Sequence, residues 1–392
     1  MPSKYQIISE LASQTARDIT SKAERYTGFL VTAANNYKYS FKEQLLIHAQ
    51  KPDATACAEI ETWNRLGRWV NKGTRGIALL VDRDTPYKLR HVFDYSDTNS
   101  RAGRVVTLWQ MRPQYEEAVK ESLQDSFGEV EQTADFPHFL MEIAKNAVED
   151  NFSDYLSNLQ SVKGDSFLEE LDDLNLEVWL KDTLRSSVAY MALVRAGYQP
   201  NLYFTRDDFS HIYDFNTVPV ISVLGAATSD ISEMVIREIA ETVKGLEKEE
   251  KQSNRTFARG RSSEYHEAET IKPKGAMKME LTYTMQGDYL IPDLTVPESP
   301  KIGKYGMLRR TFLREHRDGI YTGMLLEGTL NSHLEEVDAQ ANRMMDKLTE
   351  QMKTLNGVTE QMKSEDQMKW VQLMNSIRSS AEEVVLRDLI YA

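Results

Sequence analysis

The sequence lacks the features by which many enzymes are recognised. It has a single cysteine, Cys57, among 392 residues, which excludes an internal disulfide framework and a zinc knuckle. A Walker loop, a G-x-S-x-G elbow and an HExxH motif are all missing, and the 7 histidines show no metal-ligand spacing. We therefore expect a protein without catalytic activity that carries no metal and no cofactor.

Long apolar runs are also missing. The longest charge-free apolar stretch, Val218 to Ala227, is too short to span a bilayer. The first residues, MPSKYQIISELASQ, contain no apolar signal core. With 41% hydrophobic and 27% charged residues, the composition is typical of a soluble protein with two or three domains. We expect a cytoplasmic protein with no membrane partner.

Positive charge is scarce except in the N-terminal part of the chain. The net charge is −13, yet residues 1–112 hold 17 Lys and Arg against 11 Asp and Glu. Residues 113–245 hold 9 Lys and Arg against 25 Asp and Glu. Only the first segment therefore attracts polyanions, and any nucleic-acid surface is expected there.

The stretch from Tyr39 to Val81 has the clearest local signals. Ser40 and Glu43 have the spacing of a capping box at the start of a helix that Pro52 ends. A short helix containing Trp63 follows and is expected to end at Gly67. Trp69 and Val70, the turn signal Asn71-Lys72-Gly73, and the apolar run from Ile77 to Val81 together predict a β-hairpin.

Aromatic and basic residues interleave in this stretch. The candidate contact residues are Trp63, Arg65, Arg68, Trp69, Lys72 and Arg75. Bases stack on planar rings while Arg and Lys neutralise phosphates, so the pattern suits single-stranded DNA. The alternative is that both tryptophans belong to the core and the cations form a solvated rim.

The order of these segments resembles the N-terminal single-stranded-DNA-binding domain of ArdC-type antirestriction proteins, over roughly residues 1–112. The matching residues are Trp63, Gly67, Arg68, Val70, Lys72, Gly73, Gly76, Ile77 and Phe93. The resemblance implies binding of single-stranded DNA and protection of transferred DNA from restriction. Complete ArdC proteins also carry a metalloprotease-like domain with an HExxH helix, which has no counterpart here, so that activity is not implied.

The remaining patterns divide the chain into four parts. An α+β module of helices on a small antiparallel sheet spans 1–112, a mainly helical acidic region 113–245, a linker 246–278 and an all-α module 279–392. Within them, helix is predicted for 5–36, 136–196 and 229–243, and strand for 89–93, 105–109 and 216–224.

The last part has a helical pattern of its own. Apolar residues from Leu326 to Met352 step by three or four, which predicts an amphipathic helix. Gly357 and Val358 interrupt the pattern. A second helix, from Trp370 to Val384, is expected to fold back on the first as an antiparallel hairpin.

A shorter helix is predicted ahead of this hairpin, from Tyr305 to Arg317. On ideal geometry Arg310, Arg314 and Arg317 share one of its faces, which makes them a second candidate contact for DNA phosphates. The alternative is that they pair with neighbouring acidic side chains.

The segments MELTYTMQGDYLIPDL, YGMLRRTFLREHRDGIYTGMLLEGTLNSHLEEVDAQA and VTEQMKSEDQMKWVQLMNSIRSSAEEVVLRDLIY resemble transposon-encoded TnpV proteins across 279–392. The resemblance implies an accessory protein of a mobile element and no known enzymatic activity. Two hypotheses follow. The chain is a mobile-element protein that binds single-stranded DNA through its first module, or it is a transposon accessory protein that acts through a second copy or a helical partner at 320–390, with a remnant first module. A nuclease or recombinase is weaker, because no cluster of catalytic side chains is visible.

Overall fold

The computed structural model describes residues 4–81, 88–100, 108–131, 133–257, 283–286, 289–292, 302–358 and 367–391. The chain divides into two compact units, Met1–Pro297 and Glu298–Ala392. The predicted fold class is confirmed: an α+β region near the N-terminus is followed by helices.

Three helices open the chain: α1 (Lys4–Ile19), α2 (Ala23–Asn35) and α3 (Phe41–Gln50). The helix predicted over 5–36 is therefore interrupted at residues 20–22. Thr20 and Ser21 donate their hydroxyl groups to the carbonyls of Arg17 and Asp18, which satisfies the end of α1. The capping box is confirmed, since Ser40 and Glu43 cap α3.

A small β region follows α3 and surrounds the short helix α4 (Ile60–Arg65). Its strands are β1 (Cys57–Ala58), β2 (Arg68–Val70), β3 (Ile77–Leu80), β4 (Leu89–Asp94) and β5 (Thr98–Ser100). They form two antiparallel sheets, one in the order β1-β4-β3 and one that pairs β2 with β5. The strand predicted at 89–93 is confirmed. Of the strand predicted at 105–109, residues 105–107 lie outside the described residues, and residues 108–109 are not in a strand.

The hairpin predicted over 69–81 is wrong, although its turn exists. Gly73 has a φ of +82° and the amide of Thr74 donates to the carbonyl of Asn71. The two strands on either side of this turn, however, belong to different sheets. The outer edge of β3 is occupied by Gln50, whose side-chain amide both donates to and accepts from the backbone of Ala78 at 2.9 Å.

The middle of the chain is helical. The long helices are α5 (Glu116–Phe127), α6 (Phe136–Asn151), α7 (Ser153–Val162), α8 (Asp173–Ala196) and α9 (Val218–Phe257). Short 3₁₀ turns lie at Tyr95–Asp97, Pro113–Tyr115, Pro200–Leu202 and Asp207–Asp214. The helix predicted over 136–196 is present as α6, α7 and α8, with breaks at residue 152 and over residues 163–172. The apolar stripes of α6 and α8 are buried.

The strand predicted over 216–224 is wrong, because this run is the start of α9. Val220, Ile221, Val223 and Leu224 are all fully buried, so this part of the helix is apolar around its circumference. A short apolar run that is buried on every side has the same appearance in a strand and in a helix. The helix predicted over 229–243 is confirmed as a later part of α9.

Helix α9 is long and apolar enough to cross a membrane by length and composition. Of its most apolar window, 78% is buried inside the protein, as in the core helix of a soluble protein. α9 also continues to Phe257, so residues 246–257 of the predicted linker are helical, while residues 258–278 lie outside the described residues.

The N-terminal helices pack directly on α8 and α9. The hydroxyls of Tyr26 and Ser187 are 2.9 Å apart, and Ser229 donates to the carbonyl of Tyr39 at 3.1 Å. Residues 1–112 and 113–245, which the sequence pattern treats as separate domains, thus belong to one compact unit.

The module predicted to be all-α, residues 279–392, contains an antiparallel pair of strands, β6 (Tyr283–Gln286) and β7 (Tyr289–Pro292), which the prediction did not include. The second unit is helical. Its helices are α10 (Lys304–His316), α11 (Asp318–Leu326), α12 (Leu330–Leu355) and α13 (Gln367–Val385), followed by one π turn, Leu386–Ile390.

The predicted pairing of the two long C-terminal helices is confirmed. Val337, early in α12, shares a buried cluster with Val385, the last residue of α13, so the helices run antiparallel. The apolar seam predicted from Leu326 is broken at Gly328, which has a φ of +74°, and the long helix begins at Leu330.

Candidate nucleic-acid interface

The candidate residues between 63 and 75 separate into a buried pair and an exposed group. β2 alternates buried, exposed, buried along Arg68, Trp69 and Val70. Since successive side chains of a strand point to opposite faces, Trp69 lies on the outer face while its neighbours face the interior. Trp69 is 46% exposed.

Trp63 is a core residue. It is 3% exposed and packs with Val70 and Phe93 in a small apolar cluster. Its indole Nε1 donates to the carbonyl oxygen of Phe93 at 2.9 Å. The alternative that the tryptophans belong to the core is therefore correct for Trp63. Its ring faces are not accessible to a base in this conformation.

Arg68 is also turned inward. Its Nε donates to Thr98 Oγ1 at 2.7 Å and a terminal nitrogen donates to the Thr98 carbonyl at 2.8 Å. The guanidinium carbon lies 3.9 Å from the centre of the Tyr95 ring. Arg68, at 7% exposure, thus ties β2 to β5 and is not placed to meet a phosphate.

Four of the six candidates are exposed. The Trp69 surface consists of Trp69 with the cations Arg65, Lys72 and Arg75, all of which are exposed. Arg65 closes α4, where it donates to Thr62 Oγ1 at 3.1 Å. The two other cations lie in and just after the turn that follows β2, so three exposed cations lie within six residues of one exposed aromatic side chain along the chain.

Two asparagines that the sequence pattern did not single out hold this turn. Asn99 lies opposite Trp69 in the β2–β5 pair, and its side-chain nitrogen donates to Asn71 Oδ1 at 2.7 Å. The backbone amide of Asn71 donates to the carbonyl of Asp97. Asn71 and Asn99 are distant in the sequence, so their contact follows from the register of β2 and β5 and not from a sequence pattern.

A buried carboxylate organises the rest of the β region. Asp94 is fully buried and accepts hydrogen bonds from the backbone amides of Thr55, Ala56 and Ser96. The ammonium group of Lys51 lies 3.8 Å from it. These bonds place β1 and the start of β5 and so support the strand that carries Trp69.

The three candidate arginines of the second unit, Arg310, Arg314 and Arg317, do not share one helical face. α10 ends at His316, and Arg317 has the non-helical angles φ −142° and ψ 45°. Arg310 and Arg314 lie on the helix and are half-buried, and Arg314 lies 3.6 Å from Glu315. The extension of ideal helical geometry to Arg317 is therefore wrong.

Among the described residues, no three His, Cys, Asp or Glu side chains are grouped as a metal site requires. The thiol of Cys57 lies in β1, and burial is the main factor that raises its pKa. A raised thiol pKa keeps the sulfur protonated and unreactive at neutral pH.

Comparison with known proteins finds a similarity in the C-terminal part of the chain. Residues 282–390 match the family model of the transposon-encoded protein TnpV. Neither the curated proteins nor the solved structures contain a match to the chain. The segment from β6 to the π turn after α13 is therefore similar to a transposon-encoded protein family, and the association of this chain with transposons rests on that match.

Proposed function

We propose that this is a non-enzymatic, cytoplasmic protein of a transposon or conjugative element that binds single-stranded DNA through the Trp69 surface. The observation that carries the proposal is the exposed indole of Trp69, with the exposed cations Arg65, Lys72 and Arg75 within six residues of it in the sequence. A single base stacked on an exposed aromatic ring contributes about 1–3 kcal/mol, with little dependence on sequence.

Charge supports the same location. Residues 1–112 have an excess of Lys and Arg, whereas residues 113–245 have 25 acidic side chains against 9 basic ones. Long-range attraction therefore favours approach of DNA to the β region over approach to the middle helices. The match of the C-terminal segment to a transposon-encoded family supports a role on mobile DNA, and the ArdC resemblance supports protection of a transferred strand.

Trp63 and Arg68 have a different role in this proposal from the one the sequence pattern gave them. Both are buried and bonded to backbone carbonyls of β4 and β5. They hold the strand that presents Trp69, so substituting them should reduce stability first and DNA affinity only as a consequence.

Fluorescence anisotropy with a labelled oligonucleotide, as single strand and as duplex, tests the proposal. The full chain is used, because residues 1–112 share their core with α8 and α9. We expect preference for the single strand and a steep loss of affinity with salt. Replacing Arg65, Lys72 and Arg75 with Ala should reduce the salt slope by about 2, at about 0.7 per phosphate contact on a single strand.

Tyr213→Ala is the matched control for Trp69→Ala, since Tyr213 is 44% exposed on the acidic middle region. Loss of affinity in Trp69→Ala with normal binding in Tyr213→Ala supports the proposal. Equal affinity in both variants, or equal binding of duplex and single strand, contradicts it.

A second candidate function is favoured by the C-terminal unit. We infer that it acts as a transposon accessory module that joins a second copy or a helical partner through 320–390. Leu355, at the end of α12, is 85% exposed, and most of the apolar residues that follow Ala341 along the seam of α12 are only half-buried. Light scattering of the full chain tests this, and a monomer at all concentrations contradicts self-association.

Arg310 and Arg314 provide a second, weaker DNA contact in the proposal. Their joint replacement with Ala should leave the preference for single strands intact and lower affinity modestly. No change in affinity would remove α10 from the DNA footprint.

A further inference from the structure

A cleft of about 220 Å³ opens in the first unit, away from the Trp69 surface residues. Its walls come from residues 35–39, between α2 and α3, from residues 55–57, from Trp109, and from Arg195 and Lys244. These five pieces are distant in the sequence and belong to the predicted first module and middle region alike. We call it the Arg195 cleft.

Three cations converge on the Arg195 cleft. Lys38 follows α2, Arg195 lies in the last turn of α8, and Lys244 lies on α9. The guanidinium carbon of Arg195 is 3.7 Å from the centre of the Trp109 indole, and one of its nitrogens donates to the Trp109 carbonyl at 3.3 Å. Stacking on an indole leaves the edge of a guanidinium for an anion.

The cations are close enough to repel one another. Burial is the main factor that lowers the pKa of Arg195 to about 10. Burial also lowers the pKa of Lys244, and the positive charges of Lys38 and Arg195 lower it further. Arg195 is half-buried, whereas Lys38 and Lys244 are exposed, so Arg195 has lost more of its water and gains more from an anion than a solvated surface cation does.

Of the described residues that line the cleft, none is acidic. Asp94 bonds to the amides of Thr55 and Ala56, but it is fully buried and faces the ammonium of Lys51. Glu241 and Glu247 flank Lys244 on α9 and partly offset its charge without lining the cleft. The cations of the cleft thus have no carboxylate partner on its walls.

Trp109 adds a buried donor without a partner. Its Nε1 is buried and makes no hydrogen bond within the described part of the chain. A buried N–H group without an acceptor costs free energy, and buried polar groups of this kind are uncommon in folded proteins. A ligand oxygen beside the indole would satisfy it.

We propose that the Arg195 cleft binds a phosphate group, held by Arg195, Lys244 and Lys38, with Trp109 and the neighbouring tyrosines beside the organic part of the ligand. Arg and Lys together are the usual protein partners of phosphate, the first through its planar fork and the second as a point charge. The aromatic wall fits the phosphate of a nucleotide, either free or at the end of a DNA strand.

Isothermal titration calorimetry on the full chain with sodium phosphate and with adenosine monophosphate tests the site. Lys244→Gln should weaken binding by about tenfold, the loss of one charge-assisted hydrogen bond. Lys248→Gln is the matched control, because Lys248 is exposed one turn further along α9 and does not line the cleft. Arg195→Lys checks whether the planar fork is needed.

A second arm distinguishes the sources of the phosphate. An oligonucleotide with a 5′ phosphate is compared with the same oligonucleotide ending in a 5′ hydroxyl, in the Trp69→Ala background. A phosphate-dependent gain in affinity that Lys244→Gln removes assigns the cleft to a strand end, and binding of the mononucleotide alone assigns it to a free nucleotide.

The proposal is overturned if neither phosphate nor the mononucleotide binds, or if Lys244→Gln and Lys248→Gln bind them equally well. Because the Trp69 surface and the Arg195 cleft share no residue, failure of one site leaves the other measurement intact.

Discussion

The indole nitrogen of Trp63 donates a hydrogen bond to the carbonyl oxygen of Phe93 across 2.9 Å, joining α4 to β4. The bond fixes a tryptophan that is 3% exposed, whereas Trp69, six residues later, is 46% exposed. The two aromatic residues of the same short motif therefore have separate roles, one in packing and one at the surface.

Substitution of these two tryptophans should separate stability from binding. Trp63→Ala should reduce the free energy of unfolding by about 3–5 kcal/mol, because it empties a buried site and leaves the Phe93 carbonyl without its donor. Trp69→Ala should change it by less than about 1 kcal/mol. Urea denaturation measures both, and a larger loss of stability in Trp69→Ala would contradict the assigned packing.

Gly225 should tolerate no side chain, although it lies inside a helix. Replacing Gly with Ala in a helix ordinarily stabilises it by about 1 kcal/mol. A Cβ on Gly225, however, would overlap the ring of Phe41, which is fully buried between α3 and α9. Gly225→Ala is expected to destabilise the first unit by about 1–3 kcal/mol.

Gly245→Ala on the same helix is the control for Gly225→Ala. Apart from its chain neighbours and the backbone of its own helix, no atom of the described residues lies within 4 Å of the position its Cβ would take, so the ordinary helix-stabilising effect should appear. Thermal unfolding of the two variants should move in opposite directions, and a shift of the same sign would contradict a tight contact between α3 and α9.

Protonation of His48 should reduce the stability of the first unit in mild acid. Its Nδ1 lies 2.8 Å from Thr32 Oγ1, which donates to the Pro52 carbonyl, and its ring packs against Phe29. Burial lowers the His48 pKa to about 4, against about 6.5 in an unfolded chain. The unfolded state thus binds more protons between these values.

The contribution of His48 to stability is therefore complete above about pH 6.5 and is lost as pH falls toward 4, by up to about 3 kcal/mol. His48→Gln should flatten this part of the profile of unfolding free energy against pH. An identical slope in the variant and the parent chain would show that the imidazole titrates normally in the folded state.

In the second unit, Asp338 should determine how firmly α10 begins. Its carboxylate accepts hydrogen bonds from the amides of Tyr305 and Gly306, both at 3.0 Å, in the first turn of α10. Asp338→Ala should destabilise this contact by about 1–3 kcal/mol. Hydrogen exchange at the start of α10 should quicken, whereas Asp346→Ala, at an exposed site on α12, the helix that also carries Asp338, should leave it unchanged.

Local patterns predicted the elements whose formation depends on neighbours in the chain. The capping box of Ser40 and Glu43, the left-handed Gly67 with a φ of +75°, and the apolar stripes of α6 and α8 are examples. Each depends on residues within a few positions of one another, so the sequence shows them directly.

Features that depend on distant partners could not be predicted in this way. The pairing of β3 with β4 is favoured by Gln50, which comes from α3 and occupies the other edge of β3. The inward turn of Arg68 depends on Thr98 and Tyr95. In the Arg195 cleft, Lys38, Arg195 and Lys244 meet only because α8 and α9 pack on the N-terminal helices.

The packing of α9 on the first helices also affects how the chain folds during its synthesis on the ribosome. Tyr39 and Ser229, which bond across this contact, are 190 residues apart. At about 5–20 residues per second, about 10–40 s separate the synthesis of the two partners. During that interval the apolar faces of α1, α2 and α3 have no α9 to cover them, so the nascent chain should depend on chaperones until Ser229 has been made and α9 can pack beside Tyr39.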